Sequence, residues 1–398
     1  MTETVAIQID HRFVKPYYEG YQHIPESLSP ALRNLKTEGV YIDLMTPEGV
    51  FIARGYHGHQ NKGYGWVFTQ DASVYLTIEF LRQLFSDAIG KRQKLFQDEE
   101  TTAFRLFNGE GDRLGGVTVD LYNDCALVQW YSLGIYEHRE LILDALEAVY
   151  PVKAIYQKKR FCEGGKYMDA DDFVRGERIE FPILVKENGV VFNIDLNDGP
   201  MTGVFLDQRE VREQIREQYS KGKTMLNAFS YTGAFSVYAA LGGADKTTSV
   251  DLAKRSLPMT IAQFSANGID FEAQEIRVMD VFNYFDYALK HALTYDLVVL
   301  DPPSFARSKK RVFSVQKDYV KLLEQALQLT NDNGVIVAST NYSGFDMKKF
   351  KQFIKRAFHN QHATYKILET YTQPEDFPYD ANFKESQYLK VVFIKKLS

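Results

Sequence analysis

Tyr295-Asp296-Leu297-Val298-Val299-Leu300-Asp301-Pro302-Pro303-Ser304-Phe305 decides how the second half of this chain folds. The apolar run reads as a strand of a parallel sheet, buried on both faces. Two consecutive prolines cannot extend a strand ladder, so the strand stops there. Pro302 and Pro303 each fix their own φ and lack an amide donor, and Asp301, preceding a proline, is pushed towards extended backbone. The expected result is a stiff platform at a strand's carboxyl edge, carrying a carboxylate, free carbonyls and an aromatic ring. In open α/β sheets ligands bind at that edge. Such a platform suits a flat base, with the Phe305 ring to stack and the oxygens to accept hydrogen bonds.

Working outward, apolar strands alternate with helical patterns through the last two hundred residues, the signature of βαβ units. Strands are expected at 224–227, 247–250, 275–278, 296–300 and 334–339. Helices are expected near 234–242, 253–267, 281–290, 315–330 and 346–359. Two further strands, near 365–371 and 387–395, complete a Rossmann-like, mostly parallel seven-stranded α/β sheet.

The first five strands each end in residues suited to a ligand. After the first comes Asn227-Ala228-Phe229-Ser230-Tyr231-Thr232-Gly233, a short loop entering a helix. Gly233 permits close backbone approach, and a helix N-terminus offers amides to a carboxylate. Asp251 follows the second strand, twenty-four residues beyond Asn227. An acid at this distance can accept from both ribose hydroxyls of a nucleoside; the competing reading is a helix cap. Asp280, followed by Val281 and Phe282, could accept from an adenine amino group and sandwich the ring, or merely cap the next helix. Together these residues place ribose, adenine and an amino-acid moiety beside the platform. No G-x-G-x-x-G run occurs, so the set suits S-adenosylmethionine better than a dinucleotide.

The first half has a different grammar. Residues 1–70 are glycine-rich and aromatic, with strand-like pieces at 40–44 and 49–55 joined by a turn at 46–49. A helix is expected within 72–98, a turn-rich connection at 104–116, paired strands at 117–121 and 126–131, a helix at 137–149 and a strand at 154–157. The expected domains are therefore a β-rich module at 1–70, a small α+β domain at 71–187 and the catalytic α/β domain at 188–398.

At 398 residues and 45% hydrophobic, the chain can build two or three domains with real cores. It has no apolar run of about 18 residues, so no membrane helix is expected. The opening MTETVAIQID lacks the shape of a secretory leader. Only Cys125 and Cys162 occur, which argues against a disulfide framework or a cysteine zinc site and fits a reducing cytoplasm. His57-Gly58-His59 is read as a surface turn rather than a metal site, and no metal is expected. Net charge is −5, yet basic residues cluster at 158–160, 307–311 and 348–356. An electrostatic footprint is local, so these clusters remain candidates for gripping nucleic acid, with solvated helix faces as the competing reading.

Across its length the sequence resembles the bacterial 23S ribosomal RNA methyltransferases of the RlmI type, also called the YccW group. RLFNGEGDRLGGVTVD (Arg105–Asp120), GVFLDQRE (Gly203–Glu210), NAFSYTGAFS and DPPSFARSKK carry the match, and GVFIARGYH carries a fainter one to PUA domains. The resemblance implies a PUA-like RNA-binding domain, a central domain and a class I methyltransferase domain using S-adenosylmethionine. It implies cofactor contacts at Gln208 and Arg209, in the 227–233 loop (Asn227, Phe229, Tyr231, Thr232, Gly233), and at Asp251, Asp280 and Asp301. Its implied partner is 23S ribosomal RNA or a large-subunit precursor, and the family suggests a homodimer.

Cysteine usage bears on the target atom. Cytosine carbon 5 is a poor nucleophile, and its methylation needs a thiolate added to carbon 6. In RlmI-type enzymes that cysteine follows the fifth strand; here the place reads Ala338-Ser339-Thr340-Asn341-Tyr342-Ser343-Gly344. Guanine nitrogen 7 has a free lone pair and needs only placement against the sulfonium methyl. Asp301–Lys309 and Asn341–Met347 also resemble the RlmK-type guanine-N7 methyltransferases. The catalytic set expected is Asp301 and Asn341 orienting the base, Pro302 stiffening the platform, and Phe305 or Tyr342 stacking.

Overall fold

The computed structural model describes residues 3–60, 63–161, 171–307 and 312–397. Cys162 and the basic residues Lys309–Arg311 lie outside the described residues. The chain divides into two compact units. The first comprises Met1–Val185, Asp195–Thr202 and Glu375–Ser386; the second comprises Lys186–Ile194, Gly203–Pro374 and Gln387–Ser398.

The first unit holds two five-stranded sheets. One runs in the order Thr4–Gln8, Tyr41–Met45, Phe51–Gln60, Gly63–Thr69, His23–Pro25. The turn between its second and third strands closes with Thr46 N to Val50 O at 2.8 Å, and Gly49 takes φ +84°. His57 and His59 belong to the long strand Phe51–Gln60 rather than to a surface turn, because the hairpin continues past them to Gly63. The other sheet runs Phe173–Gly176, Ala154–Lys159, Cys125–Trp130, Val117–Tyr122, Ala103–Asn108, with helices Ile78–Lys91 and Arg139–Val149 packed with it in one core. Val74 and Leu76 precede the first of these helices, which Thr77 caps by accepting from Phe80 N.

The distinctive RLFNGEGDRLGG stretch has an internal structural use. Asp112 accepts from Arg92 at 2.6 Å with both side chains 1% exposed, and from Lys91 at 2.9 Å. A Cβ on Gly115 would sit 2.2 Å from the Trp66 ring. The basic run 158–160 is not a free cationic surface either. Lys158 is fully buried against Asp172, and Arg160 donates to Gln129 Oε1.

The second unit is built on a seven-stranded sheet: β1 (Thr224–Ala228), β2 (Lys246–Asp251), β3 (Glu275–Val278), β4 (Tyr295–Leu300), β5 (Thr330–Thr340), β6 (Tyr365–Tyr371) and β7 (Lys390–Lys396). Its order is β3-β2-β1-β4-β5-β7-β6. The first five are parallel, and β7 runs antiparallel between β5 and β6. The connecting helices are α1 (Ala234–Leu241), α2 (Ser256–Ala266), α3 (Val281–Lys290), α4 (Val315–Leu329) and α5 (Met347–Asn360). Residues of β4 such as Val298 and Leu300 are fully buried, as a central strand covered on both faces requires. A two-stranded ribbon, Phe305–Arg307 with Val312–Ser314, leaves the end of β4 and was not foreseen.

Glu187 and Arg212 anchor the segment that precedes β1. Arg212 donates Nε and Nη2 to the two Glu187 oxygens at 2.7 Å each, with side chains 2% and 0% exposed. Arg212 Nη2 also holds the Phe205 carbonyl at 2.7 Å, and Tyr238 OH donates to Glu187. Removing one partner of a buried pair strands the other charge. Glu187→Ala is therefore expected to lower unfolding stability by about 3–5 kcal/mol, read as a reduced urea midpoint, whereas a surface change such as Lys221→Gln leaves it unaltered.

Candidate functional site

Register brings the strand tips together. Ala228 of β1 lies beside Val250 of β2 and Leu300 of β4, and Leu300 lies beside Ala338 of β5. The residues that follow these rungs, Phe229, Asp251, Asp301 and Ser339, therefore emerge along one carboxyl edge. Asp251 is in turn beside Val278 of β3, which leads to Asp280. At about 4.8 Å per strand, this edge spans roughly 19 Å.

The loop after β1 is strained. Phe229 (φ +62°), Tyr231 (φ +51°) and Gly233 (φ +78°) all take left-handed backbone, alternating with ordinary residues. Strain of this kind gathers at ligand sites; within the loop Ser230 N bonds to Val250 O at 3.0 Å and Gly233 N to Ser230 O at 2.8 Å. Asp251 stabilises the loop by accepting from Tyr231 N at 3.0 Å through one oxygen and from Ala253 N at 2.8 Å through the other. It does not cap α2, which begins only at Ser256. Asp280 does cap its helix, accepting from Phe282 N and Asn283 N through Oδ1.

Asn227 and Thr232 brace the loop from beneath. Asn227 is fully buried and donates to Ser236 Oγ at 3.0 Å; its Oδ1 has no hydrogen-bond partner among the described residues. Thr232 Oγ1 donates to Gly203 O at 2.6 Å. Gly233 is needed for packing as well as for its φ, since a Cβ there would lie 2.6 Å from Thr260 Cγ2. Phe282, beside the buried Val281, meets Phe229 at 6.3 Å and Phe313 at 5.7 Å between ring centroids, forming an apolar wall. Phe313 was not singled out from sequence, because it arrives on the unforeseen ribbon.

At the tip of β4, Pro302 is buried and Phe305 is 62% exposed. The Asp301 carboxylate accepts from Gln208 Nε2 at 2.7 Å, and Ser339 Oγ donates to Gln208 Oε1 at 3.4 Å. Asp301 retains some accessible surface, but protein crowds its carboxylate. Burial pushes it up to about 6, with the Ser339 and Gln208 hydrogen bonds pulling the other way. Arg209, next to Gln208, is buried at the start of a short helix. Ser304 Oγ donates to Asn341 Oδ1 at 2.7 Å, linking the platform to the loop after β5. Asn341 is exposed there, and Tyr342 packs against Phe345 at 5.2 Å instead of standing free. Cys125 lies in the first unit, 1% exposed, its thiol pushed up to about 12 by burial. No cluster of three or more His, Cys, Asp or Glu that could hold a metal occurs among the described residues, and none of their helices is long and apolar enough to cross a membrane.

A 3-2-1-4-5-7-6 sheet with carboxylates at the tips of β2 and β4 and a strained loop after β1 defines a Rossmann-like methyltransferase domain. Residues 105–389 match the family model for S-adenosylmethionine-dependent methyltransferases, and residues 7–70 match that for PUA-like domains. The chain belongs to this S-adenosylmethionine-dependent methyltransferase family, and S-adenosylmethionine is its cofactor. It is 54% identical to the Bacillus subtilis protein YwbD over 95% of this chain and 96% of that one; YwbD is named, provisionally, as a ribosomal RNA large subunit methyltransferase. It is 30% identical to the ribosomal RNA large subunit methyltransferase I of Aeromonas salmonicida, over 90% of this chain and 91% of the relative. Among solved structures it is similar to SMU.776, provisionally described as a methyltransferase and crystallised with SAH. That match has 40% identity and a TM-score of 0.91, covering 98% of this chain and all of the other.

The raised Asp301 value has a thermodynamic sign. A carboxyl whose folded value, about 6, exceeds its ordinary value of 3.8 destabilises the fold when ionised. The penalty is absent below about pH 4, grows to about pH 6, and is complete above. Its ceiling is about 3 kcal/mol, at 1.36 kcal/mol per pH unit. Asp301→Asn is expected to raise the melting temperature at pH 8 and to lose that advantage at pH 4, as read by calorimetry.

Proposed function

We propose that this protein methylates guanine nitrogen 7 in 23S ribosomal RNA, or in a large-subunit precursor, by direct transfer without a covalent enzyme–base intermediate. We read residues 1–70 as a PUA-like RNA-gripping module, 71–187 as a central domain and 188–398 as the catalytic domain, acting in the cytoplasm. The names of the relatives support the RNA class. One observation carries the choice of atom: the exit of β5 reads Ser339-Thr340-Asn341-Tyr342, with no thiol, and Asn341 is hydrogen-bonded to the platform through Ser304.

The residues present suit the cofactor. The amino end of α1, entered through the 229–233 loop, suits its carboxylate, Asp251 its ribose, Asp280 and the wall of Val281 and Phe282 its adenine, with Gln208 and Arg209 closing the side nearest β4. When bound, S-adenosylmethionine supplies an electrophilic methyl group on a sulfonium. The protein's own share is positional. Phe305 stacks on an extruded guanine. The Asn341 amide meets the base edge, and Ser304 sets its direction. Pro302 and Pro303 keep the platform from yielding. Nitrogen 7 carries no proton, so no general base is required, and Asp301 is free to hold Gln208. Near-attack geometry then provides the rate.

Nucleoside mass spectrometry of ribosomal RNA from a strain lacking the gene tests this reading. Loss of 7-methylguanosine is expected; loss of 5-methylcytosine would overturn the choice of atom. In vitro, Asn341→Ala is expected to lower kcat about 10–100-fold while calorimetry shows unchanged S-adenosylmethionine affinity.

A further inference from the structure

The seam between α4 and α5 carries cations that no acid of the described residues neutralises; Lys349 Nζ lies over the Phe353 ring, 5.7 Å from its centroid. On α4, Lys317 and Lys321 are exposed and lie on the same helical stripe as Glu324 and Gln328. On α5, Lys349 and Arg356 are exposed and share a stripe with Asn360. These two stripes face each other, because Asn360 donates to Glu324 at 2.6 Å and Gln328 donates to Gln361 at 3.2 Å. The polar pairs close the carboxyl end of the seam. Its amino end opens at the site. Val315 N bonds to Ser304 O at 3.1 Å, and α5 starts six residues after Asn341.

None of the four cations forms an ion pair among the described residues. The two acids near the amino ends serve backbone instead: Asp318 accepts from Ser314 N and Asp346 from Lys349 N, both at 2.8 Å. The arrangement also opposes helix stability. Lys348 and Lys349 sit in the first turn of α5, where the dipole disfavours cations, and Lys351 and Lys355 add a like-charge i,i+4 pair, with no acid anywhere in the helix. A cluster that local energetics disfavours is accounted for when an anion outside the chain neutralises it.

We propose that this seam is a track for the phosphates of the RNA strand adjoining the target base, holding that strand while the base enters the site. The proposal rests on the RNA-methyltransferase reading above. Between Lys349 and Arg356 the helix rises about 10 Å, room for roughly two to three phosphates.

The test compares wild type with the fourfold variant Lys317→Gln, Lys321→Gln, Lys349→Gln, Arg356→Gln. The control is Lys221→Gln, Lys223→Gln at the opposite, amino edge of β1. The probe is large-subunit RNA purified from a strain lacking the gene. Removing mutual repulsion leaves the variant folded, which its melting curve verifies. The seam variant is expected to lose about 0.7 per abandoned phosphate from the slope of log affinity against log salt, so about 1.4–2 in all. Its KM for RNA should rise at least tenfold, with kcat and S-adenosylmethionine affinity unchanged, and the control should match wild type. Equal slopes and equal KM in seam variant and wild type overturn the track and leave the methyltransferase reading standing. A wild-type protein that methylates no RNA, and binds it without salt dependence, overturns both.

Discussion

The hydrogen bond from Gln208 to Asp301 is the constraint on which the site depends. It joins the segment ahead of β1 to the tip of β4, and Ser339 extends it to β5. The same segment is fastened at Gly203 by Thr232, at Phe205 by Arg212 and at Asp207 by Tyr388. The loop after β1, the proline platform and the exit of β5 therefore form one network. Its centre is a carboxylate in surroundings that penalise its charge, and the Gln208 amide offsets part of that penalty. The geometry persists because several independent anchors hold the segment from which Gln208 projects.

What the sequence made legible follows from what local chemistry encodes. Strand β4 and its end were readable because an apolar run meets two prolines within eleven residues, Tyr295 to Phe305. The succession of strands and helices followed from the βαβ alternation, whereas the order of the strands in the sheet came only from the structure. What stayed hidden depends on partners far along the chain. Asn227 looks like a ligand residue at a strand end, yet its side chain lies under α1 against Ser236. Phe313 joins Phe229 and Phe282 across long separations. Lys158 reads as surface charge until Asp172 is seen to bury it. Asp251 and Asp280 show a further ambiguity. Both bond backbone amides in the described chain, so capping and ligand binding were not alternatives that composition could separate.

Three buried cations have fixed acidic partners: Arg92 with Asp112, Arg54 with Asp43 at 2.7 Å, and Arg212 with Glu187. An unpaired charge in those places would cost several kcal/mol. Lys390, buried with the Tyr388 carbonyl at 2.6 Å as its hydrogen-bond acceptor, is instead pushed down to about 8 by burial. Exposed cations face no such demand, and those of the α4–α5 seam stay out of ion pairs among the described residues because its acids, Glu324, Asp318 and Asp346, are engaged elsewhere. A chain of net charge −5 can then still bind an anionic polymer, because acidic residues elsewhere are screened within about 8–10 Å.

The same economy extends to the proposed chemistry. A base whose reacting nitrogen carries no proton asks the protein for neither a thiolate nor a proton acceptor. The one perturbed carboxylate at the site is bound to an amide, and the one described cysteine is buried far up its titration range in the other unit. What remains for the protein to supply is stiffness: prolines after β4, left-handed residues after β1, and a Ser304–Asn341 bond across the mouth. Each limits how far a bound group can stray. For a displacement that depends on alignment, such limits lower the barrier directly, since orientation is fixed before the reaction begins.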